Sequence, residues 1–81
     1  MLKELINELT EFARKNNFHF DYEFNDKLKD HSFRFQNQAQ SWGYCRVISD
    51  DQLNQAAFSA TYFAQSIIRT LNEKLEQWGT Y

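Results

Sequence analysis

The sequence predicts a two-layer α+β fold: a three-stranded antiparallel sheet with one face covered by an N-terminal helix and a C-terminal helical region. Three observations predict it. Apolar residues recur at spacings of three and four near both ends of the chain, and they alternate at a spacing of two in between. A Ser-capped acidic helix start, Ser49-Asp50-Asp51-Gln52, separates the last strand from the last helices. The order is α-β-β-β-α-α, and 81 residues leave room for a single domain, 1–81.

Leu2, Leu5, Ile6, Leu9, Phe12 and Ala13 fall on one face of a helix. Its acids, Glu4, Glu8 and Glu11, precede Arg14 and Lys15, which suits the helix dipole, and Glu11 is placed to reach Lys15 one turn on. Asn16-Asn17 is the expected stop, because Asn tolerates the left-handed conformation of a helix C-terminus. From Phe18 to Phe24 every even position is aromatic and every odd position polar, which only a strand turns into two faces. Residues 25–30 are a polar turn. His31 to Asn37 repeats the alternation, with Phe33 and Phe35 on one side, so the two strands form a hairpin.

Asn37 to Ser41 is a second turn, and Trp42 to Ile48 a third strand with two possible facings. Either Cys45 and Val47 are buried and Trp42, Tyr44 and Arg46 face out, or Tyr44 and Ile48 point inward with Arg46 escaping at an edge or bulge. Beyond the capping box, Leu53, Ala57, Ala60, Ala64, Ile67/Ile68, Leu71, Leu75 and Trp78 keep helical spacing. One unbroken helix of about 28 residues would run ~42 Å and overhang so small a sheet. Ser59 offers a second N-cap, which favours a short helix near 50–57 and a longer one near 60–77, ended by Gly79. Ala57, Ala60 and Ala64 then face the ring-covered sheet.

Eight Phe, four Tyr and two Trp give so short a chain a large apolar payload and argue against disorder. Phe18, Phe20, Tyr22, Phe24, Phe33 and Phe35 are assigned to the core, with Phe12 and Phe63 from the helices. No stretch approaches the roughly 20 apolar residues of a membrane span, so no membrane partner is expected. The N-terminus, MLKELINELTEF, lacks the apolar region of a secretory signal. One Cys cannot form an intramolecular disulfide, and a small unstapled domain is expected in the cytoplasm. Net charge is −2 with the basic residues scattered, so a nucleic-acid partner is not expected.

His19, Asp21 and Glu23 are metal-ligand types on one strand face. Consecutive same-face residues stand about 7 Å apart, however, and a cross-strand pairing of Asp21 and Glu23 with Arg34 explains them more simply. Cys45 with His19 or His31 raises a Cys–His nucleophile, yet nothing in the sequence brings either His to Cys45; the ordinary reading is a small buried Cys. With only Gly43 and Gly79 there is no phosphate-cradling loop. No catalytic site, cofactor or metal is expected, and the chain reads as a non-enzyme.

The helix–three strands–helix order resembles the double-stranded-RNA-binding domain. That family meets phosphates with Lys at the start of its last helix and has a Pro-containing loop between strands 1 and 2. Here the helix start is Ser49-Asp50-Asp51 and the chain has no Pro, so the topology carries over and the RNA function does not. Three segments, MLKELINELTEFARKNN, Ser32-Phe33-Arg34-Phe35 and Arg46-Val47-Ile48-Ser49-Asp50-Asp51-Gln52-Leu53, resemble small phage- and prophage-encoded proteins. Among these, the element order is similar to that of an anti-CRISPR protein that blocks the DNA-recognition site of a type II CRISPR nuclease. The resemblance implies a partner that is a bacterial host protein, with a CRISPR effector nuclease as one such target. The low acidity of this chain argues against DNA mimicry and leaves inhibition through a protein interface open.

The expected docking surface is the outer sheet face with its hairpin: Asp21, Glu23, Arg34, Trp42, Tyr44 and Arg46, together with Asp50 and Asp51. Aromatics and Arg are the usual interface anchors, and acids steer toward a basic partner. The alternative is a homo-oligomeric assembly protein, a homodimer for example, that pairs through Leu71, Leu75 and Trp78.

Overall fold

A computed structural model describes residues 2–37 and 42–78, with the backbone alone for Trp42, Gln77 and Trp78. The elements are α1 (Leu2–Lys15), β1 (Phe18–Asn25), β2 (Asp30–Asn37), β3 (Trp42–Ser49), α2 (Asp50–Leu53) and α3 (Ala60–Trp78). The element order is the predicted one, and α1 and α3 lie together on one face of the sheet.

α1 buries Leu5, Leu9 and Ala13 along the predicted stripe. It stops where expected, and the reason is local. The Asn16 side chain donates to the Phe12 carbonyl at 2.9 Å, and Asn17 takes the left-handed conformation, with φ 60°. Glu11 pairs with Arg14 at 2.9 Å rather than with Lys15, because a three-residue spacing on this helix lets the guanidinium meet both carboxylate oxygens.

The sheet has the order β1-β2-β3, antiparallel throughout. Asn25 pairs with Asp30, so residues 26–29 form the hairpin loop. The Asn25 side chain accepts the Lys27 and Leu28 backbone N–H groups at 3.0 and 3.1 Å, and Lys29 closes the turn in the left-handed region at φ 55°. Of the predicted turn Asn37 to Ser41, Asn37 belongs to β2, and residues 38–41 lie outside the described residues.

Period-2 geometry gives the sheet two unlike faces. The inner face presents Phe18, Phe20, Tyr22 and Phe24 from β1, His31, Phe33 and Phe35 from β2, and Tyr44, Arg46 and Ile48 from β3. Phe33 and Phe35, on the central strand, are fully buried, as are Leu5, Leu9, Ala64, Ile67 and Leu71 from the helices. The rings form a continuous run. Phe12 stacks on Phe18 at 5.8 Å, Phe18 meets Phe35 edge-on at 6.4 Å, and Phe20 lies 4.8 Å from Phe35. Phe33 then contacts Tyr22 at 5.4 Å and Phe63 at 5.7 Å. Phe20 and Tyr22 are half-buried because β1 is an edge strand. Phe24, expected in the core, is 39% exposed, since it sits at the hairpin end of the sheet beside His31 rather than under a helix.

The last third of the chain breaks near the predicted place, but α2 is shorter than the expected 50–57. Ser49 caps it by accepting Gln52 N–H at 3.2 Å. The Asn54 side chain then folds back onto the Asp50 carbonyl at 2.9 Å and ends it after one turn. Ser59 caps α3 by accepting Tyr62 N–H at 3.2 Å, as its sequence predicts. Of the three alanines expected against the sheet, Ala64 is fully buried and Ala60 partly, whereas Ala57 is exposed because it falls in the link between the helices. Among the described residues no helix is long and apolar enough to cross a membrane.

Candidate functional site

The residues proposed from sequence as one surface are distributed over three places. Asp21, Glu23 and Arg34 stand together on the open face of the sheet. Arg34 pairs across the strands with Asp21 at 3.4 Å and with Glu23 at 3.3 Å, the arrangement that the alternation predicts. One cation thus serves two acids, and at about half exposure each pair is a weak tie.

Tyr44 and Arg46 belong to the other face. Of the two facings open to β3, the structure has Tyr44, Arg46 and Ile48 inward, with Cys45 and Val47 outward. The Tyr44 and Arg46 side chains therefore face the opposite side of the sheet from Asp21, Glu23 and Arg34, although Tyr44 still lines one open pocket with Asp21 and Arg34. Cys45 is exposed rather than the small buried residue expected. The reason is register. Ile48 pairs with the buried His31, and fixing one strand residue inward fixes every second one with it. The half-buried Arg46 is tolerated because its guanidinium lies over the Phe63 ring, 5.3 Å from the centroid, while its aliphatic stem covers apolar surface. Arg46 also donates a long hydrogen bond of 3.5 Å to the Tyr44 hydroxyl, and Lys74 of α3 lies 6.0 Å from the Tyr44 ring. The Trp42 side chain lies outside the described residues.

Asp50 and Asp51 both open α2 behind the Ser49 cap, yet they differ in employment. Asp51 is exposed, whereas Asp50 turns toward the sheet and takes part in a network that the sequence reading missed. Nε2 of the buried His31 donates to the Asp50 carboxylate at 2.9 Å, and the Tyr22 hydroxyl donates to Nδ1 at 2.6 Å. A carboxylate only accepts, so Nε2 carries a proton, and in the neutral ring Nδ1 is then the acceptor for the Tyr22 hydroxyl. Burial, and then the Asp50 charge, hold the Tyr22 phenol above its ordinary pKa. The signal lay in parity: His31 shares the facing of Phe33 and Phe35, and an inward polar side chain needs partners. Its surroundings are rings, Phe24 at 4.8 Å and Tyr22 at 5.9 Å, and the Asp50 backbone N–H also ties to the Lys29 carbonyl at 2.7 Å. This network joins the hairpin to α2.

Beside Arg46 opens a groove of about 610 Å³ between β3 and the start of α3. Arg46, Val47 and Ile48 form one wall, Tyr62, Phe63 and Ser66 the other, and Gln55 to Ser59 close one end. Tyr62 is 76% exposed and Val47 51%, so two of the larger apolar side chains left in solvent stand beside the same opening. Sequence reasoning placed Phe63 in the core and gave Tyr62 no role. Their adjacency to β3 depends on where α3 begins, and that is set by the Ser59 cap. The helical stripe named for self-association is partly used within the chain: Leu71 is fully buried, and Leu75 packs against the core. The Trp78 side chain lies outside the described residues.

No protein-family model, curated protein or solved structure matches the chain.

Proposed function

We propose that this chain is a non-enzymatic binding protein of phage or prophage origin that docks onto a bacterial protein and modulates it. A type II CRISPR effector nuclease is the first target to test. The observation that carries the reading is the open groove between β3 and α3, which Arg46, Val47 and the exposed Tyr62 all line. Tyr and Arg are the side chains that most often dominate binding energy at interfaces. A surface of this kind offers recognition without a reacting group.

The docking surface is thereby moved from the open sheet face to the β3 side. Asp21 and Glu23 share the single cation of Arg34 and serve as a solvated face, while Arg46 keeps its place in the binding surface.

Capture from a bacterial lysate with the wild-type chain and with Tyr62→Asp tests the surface. A protein retained by the wild type and lost with the variant supports it; equal retention by both overturns it. Cleavage of target DNA by a type II CRISPR nuclease, with and without the purified chain, tests the class of target. Slowed cleavage supports nuclease inhibition, and an unchanged rate removes that target.

A further inference from the structure

Among the described residues β3 is hydrogen-bonded to a strand on one side only, since the sheet order is β1-β2-β3. A free strand edge presents a row of backbone donors and acceptors with the spacing of another strand. Here that edge runs beside the groove, which would receive every second side chain of a chain laid along it. A free backbone edge next to a side-chain groove is the arrangement by which folded domains take extended peptides as an added strand.

Charge selects the occupant. Among the described residues Arg46 is the only charged one lining the groove, and it has no carboxylate partner there. The first turn of α3, which opens on the same groove, carries no acid either, so the partial positive charge of that helix end is met by the Ser59 hydroxyl but by no carboxylate of the turn. This occurs in a chain whose acids outnumber its Lys and Arg by eleven to nine. The guanidinium is held over Phe63 with donors to spare, and a carboxylate is the group that matches them.

We infer that the free edge of β3 takes an extended acidic segment of a partner protein as a fourth strand, with one inward carboxylate paired to Arg46 and apolar neighbours seated against Tyr62 and Phe63. The same arginine disfavours a second copy of this chain in that place. Self-pairing about the middle of β3 would bring two Arg46 side chains together with no acid between them.

The inference rests on the β3 side being the docking surface, and it is tested with a random heptapeptide library displayed on phage and panned on the folded chain. Selected peptides are expected to alternate apolar residues and to carry an Asp or Glu at one inward position. Converting that acid to its amide in the synthetic peptide is expected to weaken binding by about ten-fold, the loss of one charge-assisted hydrogen-bonded pair. With Arg46→Gln the acid and amide peptides should bind alike, whereas Arg46→Lys should retain part of the preference. Circular dichroism and the melting temperature of each variant establish that it is folded. N-methylating alternate peptide amides should abolish binding, and the bound peptide should slow hydrogen exchange at the β3 amides that point away from β2. Enriched peptides with no acid preference, or an N-methylated peptide that binds as well as its parent, overturn the inference. A selection that enriches nothing also overturns it. If Tyr62→Asp nonetheless loses a captured bacterial protein, the docking surface stands and strand addition alone falls; if capture too is unchanged, both fall.

Discussion

β1 and β3 are the two edges of one sheet, yet they use their side chains differently. β1 alternates without exception, rings inward and His19, Asp21 and Glu23 outward, and its acids are answered by Arg34 from the central strand. β3 places a tyrosine and an arginine inward and leaves Cys45 and Val47 outside. Ile48 joins the core and Tyr44 packs against it, while Arg46 finishes in the groove. One edge is committed to folding, and the other keeps cation, ring and backbone accessible. A small protein can thus divide the two duties between strands that share one central neighbour.

The division can be broken from the centre outward. Phe33→Ala removes a fully buried ring that touches both Tyr22 of β1 and Phe63 behind β3, and it is expected to cost about 3–5 kcal/mol in a denaturant titration. A loss below 1 kcal/mol would mean that the two halves do not share a core. Asp50→Ala leaves the buried His31 without its acceptor and should cost about 1–3 kcal/mol by the same measurement, with the binding of a groove ligand retained. An Asp50→Ala chain as stable as the wild type would show that the network is incidental.

Tyr22 gives a pH test of the β1 side. Its folded pKa is raised, so the neutral phenol contributes stability that is complete below the unfolded value of about 10 and is lost as pH rises through the folded value. Melting temperature is therefore expected to fall more steeply above pH 10 in the wild type than in Tyr22→Phe, and parallel curves would refute the coupling. The smallest effect belongs to the open face: Arg34→Gln should change stability by less than about 0.5 kcal/mol in urea, because both of its ion pairs are solvent-screened. A larger loss would make that face a structural element rather than a solvated one.

How much of this was legible in the sequence follows from how strongly each residue type prefers one side. Phe and Glu are unambiguous, so α1, β1 and β2 could be read directly, and the Ser caps at 49 and 59 mark the starts of α2 and α3. Tyr44 and Arg46 are each part apolar and part polar, and Cys45 and Val47 are small, so alternation alone could not orient β3. The burial of Ile48 opposite His31, a contact between strands, decided it. The groove was illegible for a similar reason, since it is formed by residues some 15 apart in sequence whose meeting depends on the length of the link between α2 and α3. The open-face trio was legible because its three members sit in one hairpin.

The antiparallel order β1-β2-β3 also bears on how quickly the chain finds its fold. Every strand pairs with its neighbour in sequence, so both ladders can close over short spans of chain with little loop entropy to overcome. The packing of α1 against α3 is the one large closure between first element and last. In kinetic terms the sheet can form early, and the helices then meet across it. The slow step is expected to report on Leu9 and Leu71 rather than on strand pairing, and truncating either to Ala in a stopped-flow refolding experiment checks that expectation.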